Sequence, residues 1–387
     1  MRLHEHEAAG LFRQAGVPVA PFAVARTPDE AVAALAKVQL PVVIKAQVLV
    51  GSRGKHGGIL QAKSEAEVRE KTAALLGKTI RGFAVESVMI AKAVPIAREF
   101  YVGVTVDAVA GAITVILGTA GGIDVETVAK ERPEALFRKT VVPPAELRGH
   151  EARALAREAG FQGDLMVKIA DVLVALYRVF RKSDALIAEV NPLAVTPDEN
   201  LWAVDAVLEV DDSALFRHPE MPKDPLARIE HPIERAAKEI GVSYVDLDGD
   251  IGIISSGAGL GMATMDVVGQ RLKPANFLET GGGITEDLMY KTTTLVLKKP
   301  GLRGLLINLY GGINPIHEGA KGIVRVLKEQ QVTFPVVAKA LGNRQEETWA
   351  TLREAGVIIV TDITTEAAVD ALCEALAGQG CAVVVHY

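Results

Sequence analysis

Cysteine is almost absent from this chain of 387 residues, which excludes proteins built on a disulfide framework or a cysteine-bound zinc cluster. Only Cys373 and Cys381 occur, and their spacing fits neither a disulfide framework nor a zinc cluster. We interpret both as small apolar residues.

Three further features are missing. No run of about 18 apolar residues occurs, and residues 1–6 carry acid instead of the apolar core of a signal sequence. No basic stripe of the kind that binds nucleic acid is present. We therefore expect a cytoplasmic protein that binds neither membranes nor nucleic acid.

The composition is that of a globular α/β protein. Hydrophobic residues make up 49% of the chain and charged residues 23%, with a net charge of −6. The stretch 216–232 has little periodicity and contains the prolines Pro219, Pro222, Pro225 and Pro232. Since closely spaced prolines cannot sustain a helix or a central strand, we predict a linker there and two domains, 1–231 and 232–387.

The second half alternates strands, glycine loops and helices. Ile251–Ser255 leads into the loop 256–261, and Leu305–Leu309 leads into the loop 310–314. Later strands are predicted at Val336–Ala340, Val357–Val360 and Ala382–Val385. This pattern predicts a doubly wound parallel sheet with its site at the carboxyl ends of the strands.

A hairpin closes the first domain. Apolar runs at 187–193 and 201–205 flank a turn at 197–200. Alternation places Glu189 and Asn191 on one face, and Asp205 ends the second strand. Two carboxylates and a carbonyl oxygen suit Mg²⁺, although ordinary polar residues at strand ends are an equal alternative.

Basic residues precede the hairpin. Lys45 ends the strand 41–46, and the glycine-rich loop 51–58 contains Arg53 and Lys55. Glycines let main-chain N–H groups approach a phosphate, but the Walker spacing is missing, so this is not a P-loop. A surface lysine and a mobile loop remain the alternatives.

Two glutamates, Glu86 and Glu99, fall in the predicted strands 83–88 and 97–104. They lie either on a solvent face or beside Lys45, a ribose or an adenine amino group. Further on, the loop Gly311–Pro315 opens a helix and is a candidate anion site or an ordinary turn. The loop 256–261 lacks the acidic partner of a dinucleotide fingerprint.

Taken together and in order, these motifs resemble the β subunit of the succinyl-CoA synthetase family. The resemblance covers essentially the whole chain and includes Lys45, the loop 52–54, the hairpin, and the loops 257–260 and 310–313. It implies an α/β fold in which an ATP-grasp module, with a lid at about 21–95, precedes a flavodoxin-like ligase domain.

The resemblance also implies roles for the candidate residues. Nucleotide phosphates would be bound by Lys45, Ser52, Arg53 and Gly54, with Glu86 and Glu99 in the nucleotide cleft. Mg²⁺ would be held by Asn191 and Asp205, and Glu189 would orient a phosphorylated histidine. The acid or its phosphate would contact Ser256, Gly312, Ile313 and Asn314.

The implied reaction converts an acid, CoA and ATP into acyl-CoA, ADP and phosphate. The relay histidine of this family lies on an α subunit, and none of the eight histidines here has the expected glycine- and alanine-rich setting. We therefore expect an αβ or α₂β₂ assembly in which CoA binds mainly to the α subunit.

Departures from the family pattern concern acid recognition. Ser256 replaces the usual asparagine, residues 314–318 replace a segment with Arg-Cys-Asp, and Ala120 and Val207 also differ. Another small acid such as malate is therefore an alternative to succinate. The sequence also fits two different functions, a degenerate nucleotide-binding regulatory subunit and a standalone carboxylate–amine ligase.

Overall fold

The computed structural model describes residues 1–51, 53–122 and 125–378. The chain divides into two compact units, Met1–Arg228 and a second unit that begins at Ile229. The predicted strand Ala382–Val385 and Cys381 lie outside the described residues. Within these ranges, no helix is both long enough and apolar enough to span a bilayer.

The first unit mixes helices with antiparallel sheets. Its helices are α1 (Glu5–Gln14), α2 (Pro28–Ala33), α3 (Leu35–Val38), α4 (Glu65–Leu75), α5 (Val125–Glu131), α6 (Gly149–Glu158) and α7 (Gly163–Lys182). Its strands are β1 (Phe22–Ala25), β2 (Val42–Ala46), β3 (Ile59–Ala62), β4 (Thr79–Ile80), β5 (Phe83–Ala84), β6 (Val88–Lys92), β7 (Arg98–Asp107), β8 (Ala112–Gly118), β9 (Leu136–Val141), β10 (Ala185–Val195), β11 (Leu201–Ala203) and β12 (Val207–Val210).

Two larger sheets organise this unit. One has the order β1-β6-β2-β3, and the other has the order β11-β10-β7-β8-β9 with β12 also paired to β10. In the smaller sheet, Ile44 and Ile90 share a core with Val68 and Leu75 of α4. In the larger sheet, β7 and β10 pack against α7, because that helix has a continuous apolar face.

The second unit is a parallel sheet between helices. Its helices are α8 (Pro232–Ile240), α9 (Ala258–Gly269), α10 (Glu286–Leu297), α11 (Ile316–Glu329), α12 (Gln345–Arg353) and α13 (Thr365–Gly378). Its strands are β13 (Ser243–Asp246), β14 (Ile251–Ser255), β15 (Asn276–Glu279), β16 (Gly304–Gly311), β17 (Val336–Gly342) and β18 (Ile358–Ile359).

The strand order in this sheet is β13-β15-β14-β16-β17-β18, and only β13 is antiparallel to its neighbour among the described strands. The parallel strands therefore follow the flavodoxin-like order, second, first, third, fourth, fifth. Side chains alternate between the two helical layers: Ile254 and Ile307 belong to one core, and Ile253 and Leu306 belong to the other. The predicted doubly wound sheet is confirmed.

A histidine that is neutral when folded precedes α1. The main-chain N–H of His4 donates to Glu7 Oε2 at 2.8 Å, and the His4 ring stacks on His6 at 5.8 Å between centroids. Burial lowers the pKa of His4 to about 4, and the positive charge of Arg228 acts in the same direction. The negative charge of Glu7 opposes this shift only in part.

This shift predicts a contribution of His4 to acid destabilisation. Unfolded histidine titrates near about 6.5, so the stabilisation is fully present above that pH and is lost as the pH falls towards about 4. Replacing His4 with asparagine should reduce the loss of unfolding free energy between about pH 7 and pH 5 by about 1 kcal/mol, allowing for partial exposure of the ring. Urea unfolding at the two pH values measures this. The same change at the exposed His150 should have no such effect.

Candidate functional site

The predicted hairpin is present and presents polar side chains on one face. Glu189 and Asn191 lie two residues apart on β10, so their side chains point to the same side. The pairing of β10 with β7 shifts register between Val190 and Leu193. A bulge of this kind bends the strand and redirects side chains, and here it lies at Asn191.

Asp205 faces this bulge from the short segment between β11 and β12. β10 pairs with β12 on one side of Asn191 and with β11 on the other, and both pairings share one register. That register places Asn191 opposite Asp205. The N–H of Val204 donates to the carbonyl of Pro192 at 3.1 Å, beside this pair.

Glu189 is held in a setting that favours its protonated form. Burial raises its pKa, and the negative charge of Asp205 adds to the effect, while hydrogen bonds from Asn191 and Tyr101 oppose it. The Tyr101 hydroxyl donates to Glu189 Oε2 at 3.3 Å. Asn191 Oδ1 also accepts the N–H of Gly122 at 2.8 Å, which fixes the orientation of the amide.

Four charged side chains meet beside the hairpin; we call Glu5, Lys45, Arg53 and Asp205 the charge cluster. Lys45 Nζ lies 2.7 Å from Glu5 Oε1 and also donates to the carbonyl of Val204. Arg53 Nη2 lies 2.8 Å from Glu5 Oε2 and 2.8 Å from Asp205 Oδ1. The cluster thus joins α1, β2, the turn after β2 and the hairpin.

Electrostatics keep two members of the cluster, Asp205 and Arg53, ionised. Burial alone would raise the pKa of Asp205, but the positive charges of Arg53 and Lys45 hold it below its ordinary range. Burial likewise would lower the pKa of Arg53, yet the charges of Glu5 and Asp205 raise it above its ordinary value. Lys45 is only 4% exposed, so the alternative of a surface lysine is wrong.

The basic loop is placed only in part. Ser52 lies outside the described residues. Arg53 begins a 3₁₀ turn that runs to His56, and its Nη1 donates to the carbonyl of Ala46 at 3.2 Å. Gly54 and Lys55 are exposed on that turn. The loop therefore contributes one buried cation to the cluster and presents the next two residues to solvent.

The two candidate glutamates have different settings. Glu99 lies on β7, and a Cβ atom added to Gly122 would be 2.6 Å from Glu99 Oε2, so this carboxylate is close to the loop that contacts Asn191. Glu86 is exposed and lies between β5 and β6, so the predicted strand 83–88 is wrong. The strand breaks because the main chain of Val85 bonds back to Gly77 and Lys78.

Sequence reasoning missed Glu5, although a signal was present. Glu5 is aligned with the buried residues Ala8, Ala9 and Phe12, the spacing of one apolar helix face. A carboxylate at the start of such a face must find buried partners, since an unpaired buried charge is costly.

In the second unit, the predicted substrate residues lie on neighbouring strand-end loops. Ser256 follows β14, and its Oγ accepts the N–H of Tyr310 on β16 at 2.8 Å. Gly312 and Ile313 are exposed, the latter at 94%, and Asn314 Oδ1 would be 3.8 Å from a Cβ atom added to Gly282. The ends of β14 and β16 flank the point where the strand order reverses, where ligands bind in sheets of this type.

A histidine and an arginine adjoin these loops. His317 lies in the first turn of α11 and is buried, with Nε2 2.8 Å from Nη1 of Arg344. The loop that follows β17 is held against the end of β16 by the N–H of Asn343, which donates to the carbonyl of Gly311 at 2.7 Å. Arg344 was not predicted, because its proximity to His317 depends on the pairing of β16 with β17.

Comparisons with known proteins agree with this architecture. The family model described as ATP-grasp domain matches residues 2–195, and the one described as CoA-ligase matches residues 254–372. The β subunit of a GDP-forming succinate–CoA ligase from Thermus thermophilus is 46% identical over 348 residues, which cover 90% of this chain and 92% of that subunit. The chain belongs to the succinate–CoA ligase β-subunit family.

Other members and neighbours extend this family assignment. The β subunit of an ADP-forming succinate–CoA ligase from Deinococcus radiodurans is 40% identical over 386 residues, covering 98% of this chain and 100% of that subunit. An ATP citrate lyase from Methanothrix soehngenii, solved with citrate and coenzyme A, is similar in fold, with a TM-score of 0.61 at 18% identity, covering 96% of this chain and 99% of that one. The predicted family and the order of an ATP-grasp domain followed by a CoA-ligase domain are confirmed.

Proposed function

We propose that this chain is the β subunit of an ADP-forming acid–CoA ligase, with succinate as the first acid to test. The observation that carries the proposal is the contact of two buried cations, Lys45 and Arg53, with the hairpin that presents Glu189, Asn191 and Asp205. The relatives, named as succinate–CoA ligase β subunits, support the same reaction class.

In this proposal the first domain, 1–231, binds ATP. Its lid, about 21–95, contains the sheet β1-β6-β2-β3 and contributes Lys45 and the residues Ser52, Arg53 and Gly54 to the phosphates. Cationic side chains and main-chain N–H groups of glycine-rich loops are the usual ligands of phosphate. Glu86 and Glu99 would face the nucleoside part of the cleft.

Asn191 and Asp205 would hold Mg²⁺. Mg²⁺ takes few protein oxygens and keeps the rest of its positions for water and phosphate, so one carboxylate and one amide oxygen are a suitable donor set. The ion would neutralise charge on the transferred phosphoryl group.

Glu189 would orient the phosphorylated histidine of a partner α subunit. The hydrogen bond that Glu189 Oε2 accepts from the Tyr101 hydroxyl keeps the carboxyl group directed. The assembly would be αβ or α₂β₂, with CoA mainly on the α subunit. We also propose a cytoplasmic location.

The second domain, 232–387, would bind the acid. Ser256, Gly312, Ile313 and Asn314 lie where the strand order reverses, and the amino terminus of α11 favours an anion. Ser256 supplies a hydroxyl where the family usually has an amide, and His317 with Arg344 adds polar groups nearby. These features favour a polar acid such as malate as a second candidate substrate.

The test is an acyl-CoA assay on the complex with the α subunit encoded nearest to this chain. We expect acyl-CoA and ADP to form only when both subunits, ATP, CoA and Mg²⁺ are present, with succinate and malate among the acids compared. The isolated chain should form no acyl-CoA, because the relay histidine is on the partner.

Each competing function gives a different result. An assembled complex that makes no acyl-CoA from any acid would overturn the proposal. Absence of nucleotide binding would favour a degenerate regulatory subunit that binds only a partner, and nucleotide binding without acyl-CoA formation would favour one that binds nucleotide. ADP release by the isolated chain with an amine acceptor would favour a carboxylate–amine ligase.

A further inference from the structure

Glu5 is the one member of the charge cluster to which the proposed reaction gives no role. It is the first residue of α1 and is only 4% exposed. Its two carboxylate oxygens contact different cations, Oε1 with Lys45 at 2.7 Å and Oε2 with Arg53 at 2.8 Å. A buried carboxylate that contacts two cations fixes the distance between the cations and the orientation of their side chains.

The segment that carries Glu5 is braced against the end of β2. The N–H of His6 donates to Gln47 Oε1 at 3.0 Å, and the same oxygen lies 2.8 Å from His6 Nδ1. Gln47 Nε2 in turn donates to the carbonyl of Lys45 at 3.2 Å. The start of α1 is therefore a rigid support for the strand end from which Lys45 projects.

Charge balance gives Glu5 a second consequence. Two carboxylates and two cations leave the cluster neutral, and Arg53 Nη2 is shared between Glu5 and Asp205. A nucleotide without metal meets two cations that are already paired and a carboxylate, Asp205, that repels it. Binding of such a polyanion is therefore opposed, and the opposition depends on the charge of Glu5.

We propose that Glu5 is a positioning residue that orients Lys45 and Arg53 and makes nucleotide binding depend on the metal. This inference rests on the proposed function of the cluster as a phosphate site. The relevant quantity is a ratio: the dissociation constant of ADP measured in EDTA divided by the dissociation constant measured in excess Mg²⁺. A residue with a structural role only would change both constants together and leave the ratio unaltered.

The experiment is isothermal titration calorimetry of ADP into the full-length chain and its variants. Glu5→Gln keeps the shape and removes the charge, so the ratio should fall about tenfold or more, mainly because binding in EDTA becomes tighter. Glu5→Asp keeps the charge, but its shorter carboxylate cannot reach both cations, so one cation becomes free to pair with metal-free ADP and the ratio should fall about threefold. It provides the test if Glu5→Gln does not fold.

The matched control is Glu7→Gln. Glu7 lies in the same helical turn but pairs with Arg228, at 2.7 and 2.9 Å, away from the cluster. This change should lower stability and leave the ratio as in the wild type. A wild-type ratio in Glu5→Gln, or in Glu5→Asp if only that variant folds, overturns the inference. Failure of the wild type to bind Mg-ADP would instead contradict the proposed function.

Discussion

Replacing Lys45 with alanine is expected to weaken Mg-ATP binding at least about 100-fold. Lys45 Nζ is buried among Glu5 and the carbonyl of Val204, so no other cation can move into its place without rebuilding the cluster. Isothermal titration calorimetry with Mg-ATP measures the loss. Thermal unfolding of the same samples shows whether the variant is folded, since removing Lys45 leaves the Glu5 charge less well compensated.

Lys92→Ala is the matched control for this prediction. Lys92 lies in the same sheet, is partly buried, and donates to the carbonyl of Leu40 at 3.0 Å. Its loss should leave Mg-ATP affinity within about twofold, because its amino group bonds to a neutral carbonyl and not to the cluster. A folded Lys45→Ala variant with wild-type affinity would remove Lys45 from the phosphate site.

Much of the fold was predictable because the signals are local. Ile251–Ser255 is an apolar run that ends at a glycine loop, and the structure gives β14 the same bounds. The hairpin could be predicted from two apolar runs around a turn rich in Pro, Asp and Asn. The prediction failed at Glu86, where an apolar run suggested one strand. There, main-chain bonds from Val85 to Gly77 and Lys78 divide the run into β5 and β6.

The charge cluster could not be predicted from the residues alone. Its contacts join positions far apart in the chain: Glu5 with Lys45, and Arg53 with Asp205. No periodicity within one element reports such pairings, because they depend on how α1, β2 and the hairpin pack. The resemblance to a family assigned Lys45, Arg53 and Asp205 to the cleft, but it gave no role to Glu5. The partners of Glu5 emerged only from the distances.

The hairpin and the cluster also suggest which group loses its charge first in acid. Neighbouring cations hold the pKa of Asp205 below its ordinary range, whereas burial raises that of Glu189. As the pH falls from neutrality, Glu189 is therefore protonated first and Asp205 stays ionised. Lowering the pH should therefore remove the charge of Glu189 before that of Asp205, so phosphoryl transfer should still depend on Mg²⁺ after its rate begins to fall.

Replacing Asp205 with asparagine should reduce Mg²⁺-dependent phosphorylation of the α-subunit histidine at least about 100-fold. The amide keeps the size of the side chain but supplies no charge for the metal or for Arg53. Phosphohistidine formed on the αβ complex from labelled ATP, measured across a Mg²⁺ titration, gives both the rate and the metal midpoint. The midpoint should move to higher Mg²⁺, which separates a lost metal ligand from a general loss of stability. Asp198→Asn, in the exposed turn of the same hairpin, should change neither quantity. Full phosphorylation by the Asp205 variant at the wild-type midpoint would contradict the metal assignment and leave Asp205 only its ion pair with Arg53.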